Sequence, residues 1–281
     1  MTDLVVSPDW LRERLGSPGL KIVDGSWYLP AQNRDARADF VEGHIPGAVF
    51  FDIDAVSDKA TDLPHMLPDE AGFAAAAGAL GLSETDTIVV YDGAGLFSAP
   101  RVWWTLRVFG AMKVSVLDGG LLAWKRAGFP LESGETEPAP RRFNARLDRH
   151  AVADISAVDV ILQESAAVVV DARSAARFRG EAPEPRPGLP SGHMPGARSL
   201  PFDRLVDSSG RLVASAEIKQ AFRAAGIDLS RPVVTTCGSG VTAAVLMFAL
   251  ATLGKKDTQL YDGSWAEWAS RPDSPIANGH A

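Results

Sequence analysis

Gly43-His44-Ile45-Pro46-Gly47-Ala48 recurs as Gly192-His193-Met194-Pro195-Gly196-Ala197. The likeness extends both ways from this pair at nearly the same spacing. Upstream, Leu20-Lys21-Ile22-Val23-Asp24 is answered by Val168-Val169-Val170-Asp171. Downstream, Leu117-Asp118-Gly119-Gly120 with Trp124 is answered by Tyr261-Asp262-Gly263-Ser264 with Trp268. Matches that keep one order and one spacing mark a duplication. The chain therefore reads as two homologous domains, expected over residues 1–130 and 151–281. The stretch 131–150, rich in Pro, Glu and Arg and without periodicity, reads as the linker.

Each half alternates short apolar strands with helices. Strands are expected at 21–24, 49–51, 87–91 and 113–117, and again at 168–171, 199–200, 232–236 and 259–261. Helices are expected at 69–80, 98–109 and 121–127, then at 154–164, 215–225, 241–253 and 265–269. Such alternation implies an α/β fold in each domain, a mostly parallel sheet with helices on both faces.

Composition narrows the function. The formal charge is −7 and there is no run of five or more like charges, so binding of nucleic acid through a basic face is disfavoured. No apolar stretch approaches the roughly 18 residues of a membrane span. The opening Met1-Thr2-Asp3-Leu4-Val5-Val6 lacks a basic segment followed by an apolar one. A single cysteine makes no intramolecular disulfide, so a cytoplasmic protein is expected. One cysteine and five scattered histidines fit no metal-ligand pattern, and no GxGxxG or Walker sequence is present. The expectation is chemistry without metal or organic cofactor.

That chemistry is looked for at Val233-Val234-Thr235-Thr236-Cys237-Gly238-Ser239-Gly240-Val241-Thr242-Ala243-Ala244. A β-branched run hands over, through the only cysteine and a small-residue turn, to an apolar helical pattern. Ligands bind at such junctions in open α/β sheets. The unpaired amides of a first helical turn favour negative charge there, a thiolate included. A free cysteine is otherwise a small buried hydrophobe; the glycines beside Cys237 argue for the nucleophile. Aligning Gly93-Ala94-Gly95 with Gly238-Ser239-Gly240 sets Asp92 opposite Cys237, so the first copy has lost the thiol and chemistry belongs to the second. A cysteine phosphatase needs an arginine six positions after its cysteine, where this chain has Ala243.

Two copies of the strand–Asp…Gly-His-Ile/Met-Pro-Gly-Ala unit, with Cys-Gly-Ser-Gly-Val-Thr only in the second, resemble the tandem rhodanese (sulfurtransferase) family across essentially the whole chain. In that family a cationic loop after the cysteine accompanies thiosulfate, a dianion. The uncharged Gly238-Ser239-Gly240 resembles the 3-mercaptopyruvate sulfurtransferase branch instead. The resemblance implies that Arg177 and Arg186 bind the donor's carboxylate and keto oxygens, as the fork of a guanidinium suits; both also read as solvated loop charges, and Arg179 competes with them. It implies that Asp54 and His65 act as a relay on Ser239 at an interdomain cleft, and that the amides of Gly238, Gly240, Val241 and Thr242 hold the charge on sulfur. The implied reaction is ping-pong, from 3-mercaptopyruvate through a Cys237 persulfide to a small thiol, a thioredoxin-like protein or cyanide. The alternatives are thiosulfate as donor, or a binding module without catalysis. His44, His193, Asp24 and Asp171 occur in both copies and read as architecture. Phe97 stands where the family often has tyrosine, so a phenol hydrogen bond to substrate is absent.

Overall fold

In the computed structural model, which describes residues 3–280, the chain forms two compact units. Unit 1 comprises Met1–Lys59, Leu67–Asp148 and Val206–Leu212; unit 2 comprises Ala60–Met66, Arg149–Leu205 and Val213–Ala281.

Unit 1 is built on five parallel strands: β1 (Val5–Val6), β2 (Leu20–Asp24), β3 (Ala48–Phe50), β4 (Thr87–Tyr91) and β5 (Val114–Leu117), in the order β1-β5-β4-β2-β3. Unit 2 repeats the arrangement with β6 (Val152–Ala153), β7 (Val168–Asp171), β8 (Arg198–Ser199), β9 (Val233–Thr236) and β10 (Thr258–Tyr261), in the order β6-β10-β9-β7-β8. The duplication is thus a duplicated sheet. Parallel strands covered on both faces carry continuous apolar runs, and β9 is buried along its whole length. Tryptophans close each core: Trp124 against Phe40 and Tyr91 in unit 1, Trp265 and Trp268 against Phe178 in unit 2.

The structure adds elements that the sequence reading lacks. The edge strands β1 and β6 are two residues each, too short to show a period. Helices at Pro8–Arg12 and Ala36–Glu42 also go beyond that reading. Each is started by a side-chain cap: Ser7 accepts from the Trp10 amide, and Asp35 from the amides of Arg37 and Ala38. The expected helix at 241–253 runs Ala243–Thr252.

Residues 131–148 belong to unit 1 and carry no regular helix or strand, yet they are pinned. The Arg141 amide donates to Gly78 O at 2.8 Å, and its guanidinium reaches Asp86 at 2.6 Å. A Cβ on Gly78 would lie 2.4 Å from the Arg141 carbonyl, so only glycine lets this stretch lie against the helix Glu70–Ala79.

Two short segments join the unit built by the other half of the sequence. Ala60–Met66 is part of unit 2, and Val206–Leu212 part of unit 1. In unit 1 the imported segment seals the loop after β4: a Cβ on Gly95 would fall 2.7 Å from Gly210 Cα, and Arg126 donates to Ser209 O at 2.8 Å. No helix among the described residues is long and apolar enough to cross a membrane.

Candidate active site

Cys237 follows the last residue of β9, the central strand of unit 2, and its residue surface is 2% exposed. The loop beyond it is fixed by backbone bonds. The Cys237 carbonyl accepts from Trp265 N at 2.9 Å, the Gly238 carbonyl from Ala266 N at 3.0 Å, and the Cys237 amide donates to Ser264 Oγ at 3.2 Å. Gly240 turns the chain at φ +80°, a left-handed conformation that favours glycine. Buried Val241 and then Thr242, at the N-cap, lead into the helix Ala243–Thr252. At the start of this helix the Ala244 amide donates to Val241 O at 3.2 Å and the Val245 amide to Thr242 O at 3.1 Å, a tight first turn.

Ser239 stands in the middle of the loop, buried, with its hydroxyl shared between two partners. His65 Nδ1 lies 3.0 Å from Ser239 Oγ, and Arg186 donates to the same oxygen at 3.2 Å. His65 is itself buried and sits at φ +63°, uncommon for a residue with a Cβ. It belongs to the imported segment Ala60–Met66, so it is part of unit 2 although the first half of the sequence encodes it.

The arginines sort themselves by geometry. A Cβ on Gly238 would lie 3.0 Å from Arg177 Nη2 and 3.9 Å from Arg186 Nη1, so both guanidinium groups converge beside the residue that follows the thiol. Arg179 turns elsewhere, to Glu181 at 2.5 Å on an exposed surface. Arg177 is held by Glu184 through two hydrogen bonds, at 3.1 and 2.5 Å. The Glu184 side chain is 2% exposed and also takes Nη1 of Arg173 at 2.9 Å. Arg173, wholly buried, binds Asp171 and the Gly192 carbonyl and lies over the Trp265 ring at 4.3 Å. Burial alone pulls its proton affinity down, but Asp171 and Glu184 more than reverse this and keep it charged.

Neither Arg173 nor Glu184 figures in the sequence reading. Glu184, between two prolines, looks like a loop charge, and no periodicity marks its burial. The relation of Asp54 to His65 is not part of either unit's own geometry. Asp54 lies in unit 1, where its carboxylate accepts from Trp27 Nε1 at 2.9 Å. Trp27 in turn stacks on Phe97, with ring centroids 6.3 Å apart.

His44 and His193 hold their turns in the same way. Each ring lies against a phenylalanine, Phe40 at 4.0 Å and Phe178 at 3.8 Å, and each Nδ1 contacts that residue's carbonyl oxygen. Among the described residues, no group of three His, Cys, Asp or Glu side chains is placed to hold a metal ion.

Unit 1 shows what such a loop does with a negative charge. Asp92 occupies the cysteine's place after β4. Its buried carboxylate accepts from four backbone amides, those of Ala94, Phe97, Ser98 and Ala99, at 2.8 to 2.9 Å. Amide cradles of this kind bind anions.

Comparison with known proteins agrees with this reading of the fold. Residues 7–127 and 155–271 each match the rhodanese-like domain. The chain is 45% identical over 293 residues to the mitochondrial thiosulfate/3-mercaptopyruvate sulfurtransferase 1 of Arabidopsis thaliana, covering 97% of this chain and 77% of that protein. It is 45% identical over 276 residues to the 3-mercaptopyruvate sulfurtransferase of Escherichia coli K12, covering 98% of each. The crystal structure of SseA from Escherichia coli superposes with a TM-score of 0.87 at 43% identity, over 94% of this chain and 99% of that one. With its matched sheets, its two matched domains and relatives alike over nearly their whole length, the chain belongs to the rhodanese family as a tandem of two rhodanese-like domains.

Proposed function

We propose that the chain is a 3-mercaptopyruvate sulfurtransferase. The observation that carries the reading is the convergence of Arg177 and Arg186 on Gly238, next to Cys237, in a loop with no cation of its own. A donor with a thiol at one end and an α-keto carboxylate at the other matches that layout. The guanidinium forks take the planar end and leave the sulfur at the cysteine.

The Cys237 thiolate attacks the donor sulfur. The carbon–sulfur bond breaks and its electron pair passes to the carbon as the enolate of pyruvate, which takes up a proton and leaves. Ser239, hydrogen-bonded to His65 and Arg186, is the group placed to handle that proton. The outer sulfur remains on Cys237 as a persulfide, its charge met by the amides of Gly238 to Thr242. In the second half-reaction an acceptor thiolate or cyanide attacks the outer sulfur and the Cys237 thiolate leaves. The role of Asp54 in orienting His65 rests on the family resemblance. The cytoplasm is the proposed compartment, on the strength of the single cysteine. Residues 151–281 are proposed as the catalytic domain, completed by His65.

The two donors in the Arabidopsis relative's name make thiosulfate the competing substrate. Steady-state kinetics on the purified protein decide between them. The proposal expects kcat/KM to be higher with 3-mercaptopyruvate, and equal or better turnover of thiosulfate overturns it.

The arginine geometry makes a sharper prediction. Arg186→Ala is expected to raise KM for 3-mercaptopyruvate by about 10- to 100-fold, the worth of a charge-assisted hydrogen bond pair. Arg179→Ala should leave it unchanged, because that guanidinium is turned to Glu181. Equal effects of the two substitutions would remove Arg186 from donor binding.

A further inference from the structure

Unit 1 contains a cavity of about 260 Å³ in the place where unit 2 seats the Arg173 guanidinium. Backbone bonds fix the correspondence between the two units. Gly25 N donates to Tyr91 O as Ala172 N donates to Thr236 O, both at 2.8 Å; Leu121 N donates to Asp92 O as Trp265 N donates to Cys237 O. The amides of Ser26 and Arg173 make the same contact with Asp24 and Asp171, at 2.8 and 2.9 Å. Gly43 and Gly192 hold equivalent positions before the paired histidines, whose amides bond to Glu132 O and Ala277 O. By this register Ser26 stands where unit 2 has Arg173, and Leu121 where it has Trp265.

In unit 2 the Arg173 guanidinium fills the space among Asp171, Glu184, the Gly192 carbonyl and the Trp265 ring, and the Asp171 side of this nest is the part with a counterpart in unit 1. In unit 1 the counterparts Asp24, Gly43 and Leu121 all line the cavity, with Ser26, Tyr28 and Gly93. The carboxylate, the carbonyl-bearing glycine and the apolar wall are retained, and the guanidinium is gone.

Two polar groups mark the buried end. Asp24 is 2% exposed, and burial pushes its carboxyl up to about 6 despite hydrogen bonds from Ser26 and Tyr91, with Asp92 adding to the rise. It is charged at neutral pH and gains from a cation. Tyr28 is 7% exposed, and its hydroxyl is buried. Burial chiefly, and the Asp39 carboxylate further, hold that hydroxyl protonated against the influence of Arg34. It faces Gly93, where a Cβ would lie 2.4 Å from the oxygen. A buried carboxylate is costly unless a cation or hydrogen-bond donors complete it. At the rim Arg34 lies over the Tyr28 ring at 3.9 Å and pairs with Asp39 at 2.5 Å, its side chain 44% exposed. The rim is thus already partnered, and the buried end is the open position.

We infer that this cavity is a binding site for a small guanidinium-bearing molecule, which takes in unit 1 the place that the Arg173 side chain takes in unit 2. The carboxylate of Asp24 and the Gly43 carbonyl accept from its N–H groups, the Tyr28 hydroxyl lies beside it, and Leu121 covers its face. The volume suits a fragment-sized ligand rather than a larger cofactor.

The test is calorimetric titration of the full-length protein at neutral pH with methylguanidine, and with methylurea as a neutral molecule of the same shape. Saturable binding of methylguanidine at one site, at least about tenfold tighter than methylurea, is expected from one charge-assisted contact. Asp24→Asn, which keeps an acceptor for the Ser26 amide, should weaken methylguanidine by about tenfold or more. Ser26→Arg supplies a tethered guanidinium and should abolish the binding. No saturable binding by roughly 10 mM, equal affinity for methylurea, or affinity that survives in both variants would each overturn the inference. None of these readouts depends on which sulfur donor unit 2 uses.

Discussion

Cys237→Ser is expected to lose turnover with every sulfur donor by roughly 10⁴-fold or more, the usual scale for removing a covalent nucleophile. The oxygen cannot carry a transferable sulfane sulfur, and there is no second thiol in the chain to take over. The substitution leaves the loop intact, because the structure uses the residue's backbone: the amide bonded to Ser264 and the carbonyl bonded to Trp265. Mass spectrometry after mixing with 3-mercaptopyruvate and no acceptor gives the direct readout. The wild-type protein should gain one sulfur, about 32 Da, and the variant none. Sulfur uptake by the serine variant would move the reactive centre away from Cys237. Failure of the wild type to gain sulfur would instead favour a binding module without catalysis.

The second large effect is expected at Glu184. Its carboxylate is buried between two guanidinium groups, one of them wholly buried and one 18% exposed. Removing one member of a buried ionic cluster leaves its partners charged without compensation, at a cost of about 3–5 kcal/mol. Glu184→Ala should therefore lower the unfolding free energy of unit 2 by about that much, read from the shift of its denaturation midpoint. Arg173 keeps Asp171, so the heavier functional consequence falls on Arg177, which loses its two anchoring hydrogen bonds. KM for the donor should rise with the loss of stability. Glu184→Gln keeps the shape and part of the hydrogen bonding and should show both effects in weaker form. Unchanged denaturation and KM in Glu184→Ala would show that Arg177 is oriented by other means.

The fold was legible because duplication writes each signal twice. A single Gly-His-Ile-Pro-Gly is a turn of uncertain meaning; two, framed by matching strands, define two sheets of identical order. The place of Cys237 between a strand and a helix was legible for a related reason. Its junction shows a period change from strand to helix, and Asp92 shows that the position tolerates loss of the thiol. What escaped the sequence depends on contacts between distant residues. The two-residue β1 and β6 exist because β5 and β10 offer them an edge, at Val5↔Val116 and Leu260↔Val152. The burial of Glu184 depends on Arg173, eleven positions away, and no local pattern encodes it. His65 could be proposed from family likeness, but its membership of unit 2 follows from the seating of the whole segment Ala60–Met66. The cavity of unit 1 is the subtlest case, because it appears only when Ser26 is compared with Arg173 in three dimensions.

The carboxylate of Asp92, bound by four amides, has one more consequence. Unit 1 carries its loop's amide acceptor in its own covalent structure, as the Asp92 side chain. In the proposed reaction unit 2 is supplied with one, first as thiolate and then as persulfide. Sulfur loading is then a binding event for the fold as well as a step in catalysis. By linkage, whatever favours the charged sulfur in the native state also favours the native state when that sulfur is present. The two copies have divided the possibilities of one architecture: in one the loop amides are met by a carboxylate of the chain itself, and in the other the same position holds a thiol.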